Sequence, residues 1–369
     1  MKKSRTYLLL AILMVVFYSC KKEDIAPPSV TLSVAEETIT AFAQTTVRIE
    51  ATIIAGNNVV HVWKVDDHIV SATNVFEYTF QAAGSYHIYY TASNQAGEVK
   101  KQYTVNIGAP VREGGASEYV TALFEFVPAP GQFINKAPGN LVSAEGLLGK
   151  KGMVSLGAWG GYVVYGFDHS VPDKEGNDIE VMGNALTEWS EPGIIHVMSD
   201  DNGNGKPDDT WYELAGSEFG NVATYLRHYE VTYFRPESAD KDVAWKDNKG
   251  NTGLVKKNNF HRQAYYPEWI TADSYTLKGS WLQTKVDPSR PTYVVSLPYD
   301  WGYADNTVEA TGGGKVDISN AVDAQGNKVN LKAIDFIKVQ TGVLADGGWL
   351  GEVSTEVTGI KDLHFSANK

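Results

Sequence analysis

The sequence predicts an all-β protein, a small antiparallel sandwich followed by a larger, jelly-roll-like β-sandwich. Two patterns and one absence predict it. Apolar and polar residues alternate with period two in short runs over most of the chain, as half-buried strands require. Gly, Asn, Asp and Pro punctuate those runs, with 35 glycines and 14 prolines among 369 residues. No segment carries a persuasive 3.6-residue apolar stripe, so helices are expected to be minor. The length suits two or three domains with cores of their own. Those cores must supply the stability, because the single cysteine, Cys20, has no second cysteine to pair with. A net charge of −12 argues against a nucleic-acid partner, which needs a basic footprint, and agrees with solubility and cation binding.

Residues 1–19 read as an export signal and not as fold. Lys2, Lys3 and Arg5 form a basic head, Leu8 to Tyr18 an apolar core too short to span a bilayer, and Ser19 precedes Cys20. Cys20 after a small residue at the end of such a core resembles a lipobox, whose cysteine is lipidated and becomes the mature N-terminus. An ordinary signal peptide with an incidental cysteine is the alternative. Lys21-Lys22-Glu23-Asp24 resembles the signal that sends lipoproteins of the Bacteroidetes to the outer face of the outer membrane. The resemblance implies a surface protein on a lipid tether, residues 20–29, closed by Pro27-Pro28. No later apolar run approaches membrane-spanning length, so the expected contact with the lipid bilayer is the N-terminal lipid alone.

Residues 30–107 alternate over Val47, Ile49, Ala51 and Ile53, then Trp63 and Val65, then Tyr86, Ile88, Tyr90 and Ala92, then Tyr103, Val105 and Ile107. This is the pattern of a small antiparallel sandwich. Trp63-Lys64-Val65-Asp66, Gly84-Ser85-Tyr86 and Ala92-Ser93-Asn94-Gln95-Ala96-Gly97 resemble the central strand, the corner and the late turn of a PKD domain, an Ig-like module. The resemblance implies a spacer or interaction module without chemistry of its own. Residues 108–117 are Gly-rich and read as a linker. From 118 to 369 the runs at Tyr162–Val164 with Phe167, Ile179–Met182, Ile194–Met198, Tyr229–Phe234, Tyr293–Leu297 and Ile334–Val339 read as strands of one large β-sandwich.

Within that domain the stretch from Ser199 to Ser217 carries the sharpest motif. Asp200, Asn202 and Asn204 place oxygen donors at alternate positions and Gly205 follows at the sixth, which is the first half of a loop that wraps Ca²⁺. The carbonyl of Lys206 stands at position seven, Asp208 at nine, and Asp209 beside it. Position twelve is Trp211, so the closing glutamate of an EF-hand is missing, and Glu213 is the candidate to replace it. The stretch resembles the calcium loops of thrombospondin type 3 and dockerin-like repeats, which need no helix pair. A metal-free Asn/Gly/Asp-rich turn is the plainer reading.

Ligand contacts are expected from two further clusters. Asp168 and His169, with Glu188 and Trp189, put polar groups beside a Trp at strand ends. Tyr299, Trp301, Tyr303 and Asp305, in the run from Tyr299 to Asn306, pair rings with carboxylates and amides as a sugar-binding loop does. Each of these has a structural reading, as a core ring or a strand-end hydrogen bond. Asp317, Asp323 and Glu352 match no calcium spacing and read as structural. A glycosidase needs two carboxylates, for which Asp168, Glu188, Glu191 and Glu213 are available, and no nucleophile elbow or phosphate loop occurs.

Phe167-Asp168-His169, Gly183-Asn184-Ala185, Ser190-Glu191-Pro192-Gly193 and the stretch from Asp201 to Glu218 together resemble the large domain of PKD-containing cell-surface lipoproteins of the Bacteroidetes. That resemblance implies a small-molecule or glycan ligand, with cobamides as another cargo, and a TonB-dependent transporter as partner. The expected function is capture of an extracellular nutrient by a calcium-stabilised sandwich without catalysis. A carbohydrate-active enzyme and a structural adhesin are the alternatives.

Overall fold

A computed structural model describes residues 25–287, 289 and 292–366; the export segment and Cys20 lie outside them. The chain divides into two compact units, one holding most residues up to Asn106 and the other most of the rest from Ile107 onward. Nearly all regular structure is β, as the alternation requires. Among the described residues the one α-helix is Leu141–Glu145, started by Asn140, whose side chain accepts from the Ser143 N–H. No described helix is long and apolar enough to cross a membrane.

The N-terminal unit is a two-sheet sandwich. Five strands order as Thr38–Phe42, Gly97–Gly108, Gly84–Asn94, Val60–Val65 and His68–Ser71, and Ser29–Leu32, Thr46–Ala55 and Val75–Thr79 form the second sheet. Period two sends Val47, Ile49 and Ala51 inward. They meet Trp63, which stacks 4.1 Å from Tyr90 and 5.5 Å from Phe76, centroid to centroid, and donates its indole N–H to the Thr73 carbonyl. Asp66 accepts from the His87 N–H at 3.0 Å and so ties the central strand to its neighbour.

The large unit is built on a six-stranded antiparallel sheet. Its order is Ala321–Val322, Tyr212–Leu214, Gly193–Met198, Ala333–Thr341, Tyr162–Pro172 and Ala122–Val127. One face carries Val163, Tyr165, Ile195, Val197, Leu214, Ile337 and Val339 into the main core. The opposite face is covered by a four-stranded sheet, Thr252–Val255, Val243–Asp247, Tyr225–Phe234 and Ser274–Leu282. Its rings Tyr229 and Tyr233 pack with Trp159 in a second core. A sheet buried on both faces has apolar runs that hardly alternate, and the strand Gly193–Met198 is buried at five of its six positions. The 108–117 segment is held to this unit: the Arg112 N–H donates to Ser170 Oγ at 2.9 Å and its guanidinium pairs with Asp335 at 2.9 Å.

Candidate functional site

Cross-strand register gathers the chemistry. His196 lies directly opposite Glu213 on one side and Lys338 on the other. Because side chains alternate across a strand, all three project to the same face of the six-stranded sheet. On the facing sheet, the pairing of Tyr225–Phe234 with Ser274–Leu282 slips between Leu226 and Tyr229. The slip leaves Arg227 and His228 unpaired in the ladder, with His228 at a φ of 54°. Such bulges re-aim side chains. The result is a cleft of about 310 Å³ lined by His196, Trp211, Glu213, Arg227, His228, Glu230, Lys278, Ser280 and Lys338. A larger groove of about 490 Å³ runs over the N-terminal sheet between Lys64, Asp66, Tyr89 and Lys101. It holds no comparable set of buried ionisable groups, so the smaller cleft is the better candidate.

The cleft alters the ionisation of its walls. The Glu213 carboxylate accepts from Tyr225 Oη and, at 2.6 Å, from Ser280 Oγ, with His196 Nε2 at 3.7 Å. Burial pushes its carboxyl above the ordinary range, against the pull of those two hydrogen bonds. His196 is held well below the usual imidazole range, first by burial and then by the positive charges of Lys338 and Arg227. Its Nδ1 is buried without a hydrogen-bond partner. Burial lowers Lys338, whose ammonium lies 5.6 Å from the Trp211 ring and 5.5 Å from the Tyr162 ring. Arg227 donates to the Asp323 carbonyl at 2.7 Å, and Lys278 pairs with Glu230 at 2.9 Å. Hydrogen-bond donors and acceptors thus converge beside one aromatic face.

The calcium-type loop lies elsewhere, and Glu213 is not part of it. Strand pairing opposite His196 turns the Glu213 carboxylate onto Tyr225 and Ser280. The rest of the motif is tied together by hydrogen bonds within the loop. Asp200 is buried, and its two oxygens accept the Asn204 and Gly205 N–H groups at 3.0 and 2.9 Å. Gly203 and Gly205 take φ values of 71° and 72°, which the tight wrap needs. The amides of Asn202 and Asn204 reach Asp208 at 2.9 to 3.1 Å, and Asn202 reaches Asp209 at 3.2 Å. Asp335, accepting the Asp200 N–H at 2.8 Å, anchors the start of the loop. Asp200, Asn202, Asn204, Asp208 and Asp209 with the Lys206 carbonyl are an all-oxygen donor set of the kind a hard dication takes, so the residues fit Ca²⁺.

The aromatic run is mostly core, which corrects the expectation of a binding loop. Tyr299 and Tyr303 are 2% exposed, 5.5 Å apart and packed with Tyr225 and Leu282. The Tyr303 ring lies over Gly216, where any Cβ would overlap it, and its hydroxyl accepts the Glu218 N–H at 3.0 Å. Trp301 alone of the three rings is exposed, at 50%. Asp305 is buried with Glu191 and Glu356, their oxygens all within 4.8 Å of one another. Asp305 accepts the N–H groups of Asn184 at 2.8 Å and Glu356 at 2.9 Å, and Glu191 accepts that of Ser354 at 3.1 Å. Burial, then mutual repulsion, raises Glu191 and Asp305 well above the carboxylate range.

The other expected contacts are dispersed. Asp168 accepts from the Ala116 N–H and holds His169 Nδ1 at 2.7 Å, while Asp362 faces His169 Nε2 at 3.1 Å. Those partners raise His169 although burial alone would lower it. Glu188 accepts from Tyr293 Oη at 3.0 Å, and Trp189 packs half-buried beside Tyr299 and Val343. None of these residues lines the cleft. Of the cleft's ionisable residues, the sequence reading singled out only Glu213, as a calcium ligand and as one of four carboxylates available to a glycosidase. His196 and Lys338 had a signal of their own: each is a lone ionisable side chain inside an otherwise apolar stretch of strand, GIIHVM and FIKV.

Residues 31–107 match the PKD domain family. No curated protein matches the chain. Among solved structures, a quinonprotein alcohol dehydrogenase-like protein from Bacteroides thetaiotaomicron is similar at 10% identity, with 63% of this chain and 50% of that one covered and a TM-score of 0.21. The chain thus spans half the length of that relative. A SusE-like protein is similar at 9% identity over 91% and 95% of the two chains, TM-score 0.22. SGBP-B of the Bacteroides ovatus mixed-linkage glucan utilization locus, solved with a mixed-linkage heptasaccharide, is similar at 9% identity over 90% and 70%, TM-score 0.22. At such TM-scores these likenesses carry no argument about function.

Proposed function

We propose that this chain is a lipid-anchored protein of the bacterial cell surface that captures an extracellular glycan in the cleft between its two large sheets. Capture serves uptake by a membrane transporter, the PKD domain acts as a spacer above the lipid at Cys20, and Ca²⁺ in the Asp200–Asp209 loop stiffens the large domain. One observation carries the reading: Glu213, His196 and Lys338 stand in a row on the sheet, facing the Arg227 bulge and flanked by Trp211. Sugars need that combination, an apolar face for the ring and converging polar groups for the hydroxyls.

The test is calorimetric titration of the soluble form, beginning after Cys20, with a panel of glycans. Binding that weakens about tenfold or more in Trp211→Ala supports the reading, the loss of one stacked ring being worth about 1.4 kcal/mol or more. A panel that binds with unchanged affinity in that variant places the ligand elsewhere and contradicts it. A second reading, a carbohydrate-active enzyme, is favoured by the raised Glu213 and lowered His196 in one cleft. Glycan turnover that disappears in Glu213→Gln would establish it; binding without turnover excludes it for that panel.

A further inference from the structure

Lys338 is in an unusual position for a lysine in this chain. It rises from the middle of the six-stranded sheet, between His196 and Val164 in the cross-strand row. Arg48, Lys101, Arg112, Lys151, Lys256 and Lys278 each have a carboxylate within 4.0 Å. Lys338 is more enclosed than most of them, yet among the described residues its ammonium has no carboxylate at that distance and no hydrogen-bond acceptor. Its ammonium lies over the faces of Trp211 and Tyr162, and the carboxylates of Glu125 and Glu213 act on it only from beyond 4.0 Å. The acids nearest in register, Glu213 and Glu125, are already committed, the first to Tyr225 and Ser280 and the second to the Tyr162 hydroxyl. A cation so enclosed is costly unless something anionic meets it.

The opposite wall adds to the demand. Arg227 uses one guanidinium nitrogen on the Asp323 carbonyl, and its remaining donors make no hydrogen bond with described residues. The bulge that carries it is the feature that turns it toward the cleft. The cleft walls carry three cations, Lys338, Arg227 and Lys278, against three acids, Glu213, Glu230 and Asp323, and among the described residues only Lys278 of those cations has a carboxylate within 4.0 Å. The cleft's volume is at the lower end for ligand sites, enough for a single sugar unit.

We infer that the unit held in the cleft is an acidic sugar, its anionic group meeting Lys338 and Arg227 while its ring lies against Trp211. This rests on the glycan-capture reading and sharpens it to a substrate class. A carboxylate of a uronic acid and a sulfate ester share the required chemistry. An anion seated there gains charge-assisted hydrogen bonds that a neutral sugar cannot make, and it relieves the enclosed ammonium.

The experiment titrates the wild-type soluble form, beginning after Cys20, with glucose, glucuronic acid and glucose 6-sulfate. An acidic sugar is expected to bind about tenfold or more tightly than glucose, the scale of one hydrogen bond to a charged group. Which of the two acids gains more separates carboxylate from sulfate. In Lys338→Met the preference of the acids over glucose should fall to about parity, since the substitution removes the charge and keeps the apolar stem. A melting curve checks that this variant is folded, and Lys338→Gln serves if it is not. Equal affinity for glucose and both acids in the wild type overturns the inference and leaves glycan capture standing. A preference that survives in a folded Lys338 variant also overturns it, since the anion then sits elsewhere. Absence of binding by all three, with no response to larger glycans, overturns the capture reading itself.

Discussion

The run from Tyr299 to Asn306 and the row Glu213–His196–Lys338 reverse what their local sequences suggest. The first is polar, Gly-interrupted and rich in rings, yet it is closed on itself. Asn306 accepts from the Tyr299 N–H at 2.8 Å and donates to the Tyr299 carbonyl at 2.7 Å, and Gly302, at a φ of 91°, tucks against Gly216. The second comes from two apolar strand runs and the tail of the calcium-type stretch, yet it walls the cleft. Burial is decided by the partner a residue meets across the sheet, and composition nearby is a poor guide to that partner.

The difference can be broken where it depends on glycine. In Gly216→Ala the new methyl group overlaps the Tyr303 ring, so the run cannot close. Overpacking on this scale is expected to cost about 3 kcal/mol in chemical denaturation. Glycan affinity in the folded fraction should change far less, because Tyr303 does not line the cleft. A silent Gly216→Ala would mean that the run is looser than its hydrogen bonds indicate.

Calcium sharpens the comparison next. A ligand that binds only the folded state at a hundred times its Kd adds about 2.7 kcal/mol. Excess Ca²⁺ should therefore raise the melting temperature of the soluble form, and Asp200→Ala should abolish the rise. Glu213→Gln should leave it intact, which distinguishes the loop from the cleft four residues away. Loss of the calcium response in Glu213→Gln would restore that glutamate to the metal site.

Stability should also depend on pH in a direction set by the buried acids around Asp305. Glu191 and Asp305 are raised well above the ordinary carboxylate range, and Glu352 is pushed up to about 8 by burial. The folded state then binds more protons than the unfolded one. Their stabilisation is full below the unfolded carboxylate values, about 4, and is lost as pH rises through the folded ones. The melting temperature, measured without added metal, should fall from pH 5 to pH 8. Glu191→Gln should flatten the fall. A melting temperature that rises over that range would show these acids to be charged in the fold.

The smallest effect is expected at Trp301. Its ring is half exposed and outside the core of Tyr299 and Tyr303 beside it, so Trp301→Ala should alter stability by less than about 0.5 kcal/mol and leave glycan affinity unchanged. A loss of affinity there would return the site to the aromatic run.

What the sequence made legible was local. Tyr86, Ile88 and Tyr90 alternate along one strand, and Asp200 to Asp209 close a loop through neighbours, so both could be read from spacing alone. The cleft is assembled from positions 196, 213, 227, 278 and 338, and its geometry depends on register and on one bulge. Neither is encoded by spacing along the chain. The trace it did leave, a histidine in GIIHVM and a lysine in FIKV, has meaning only once both faces of that sheet are known to be buried.

The most direct measurement is an experimental structure of the soluble form with the tightest-binding glycan of the panel. The account predicts a sugar ring against Trp211 with polar atoms within hydrogen-bond reach of Lys338 and Arg227. A glycan lying on Trp301, with the cleft filled only by solvent, would contradict it.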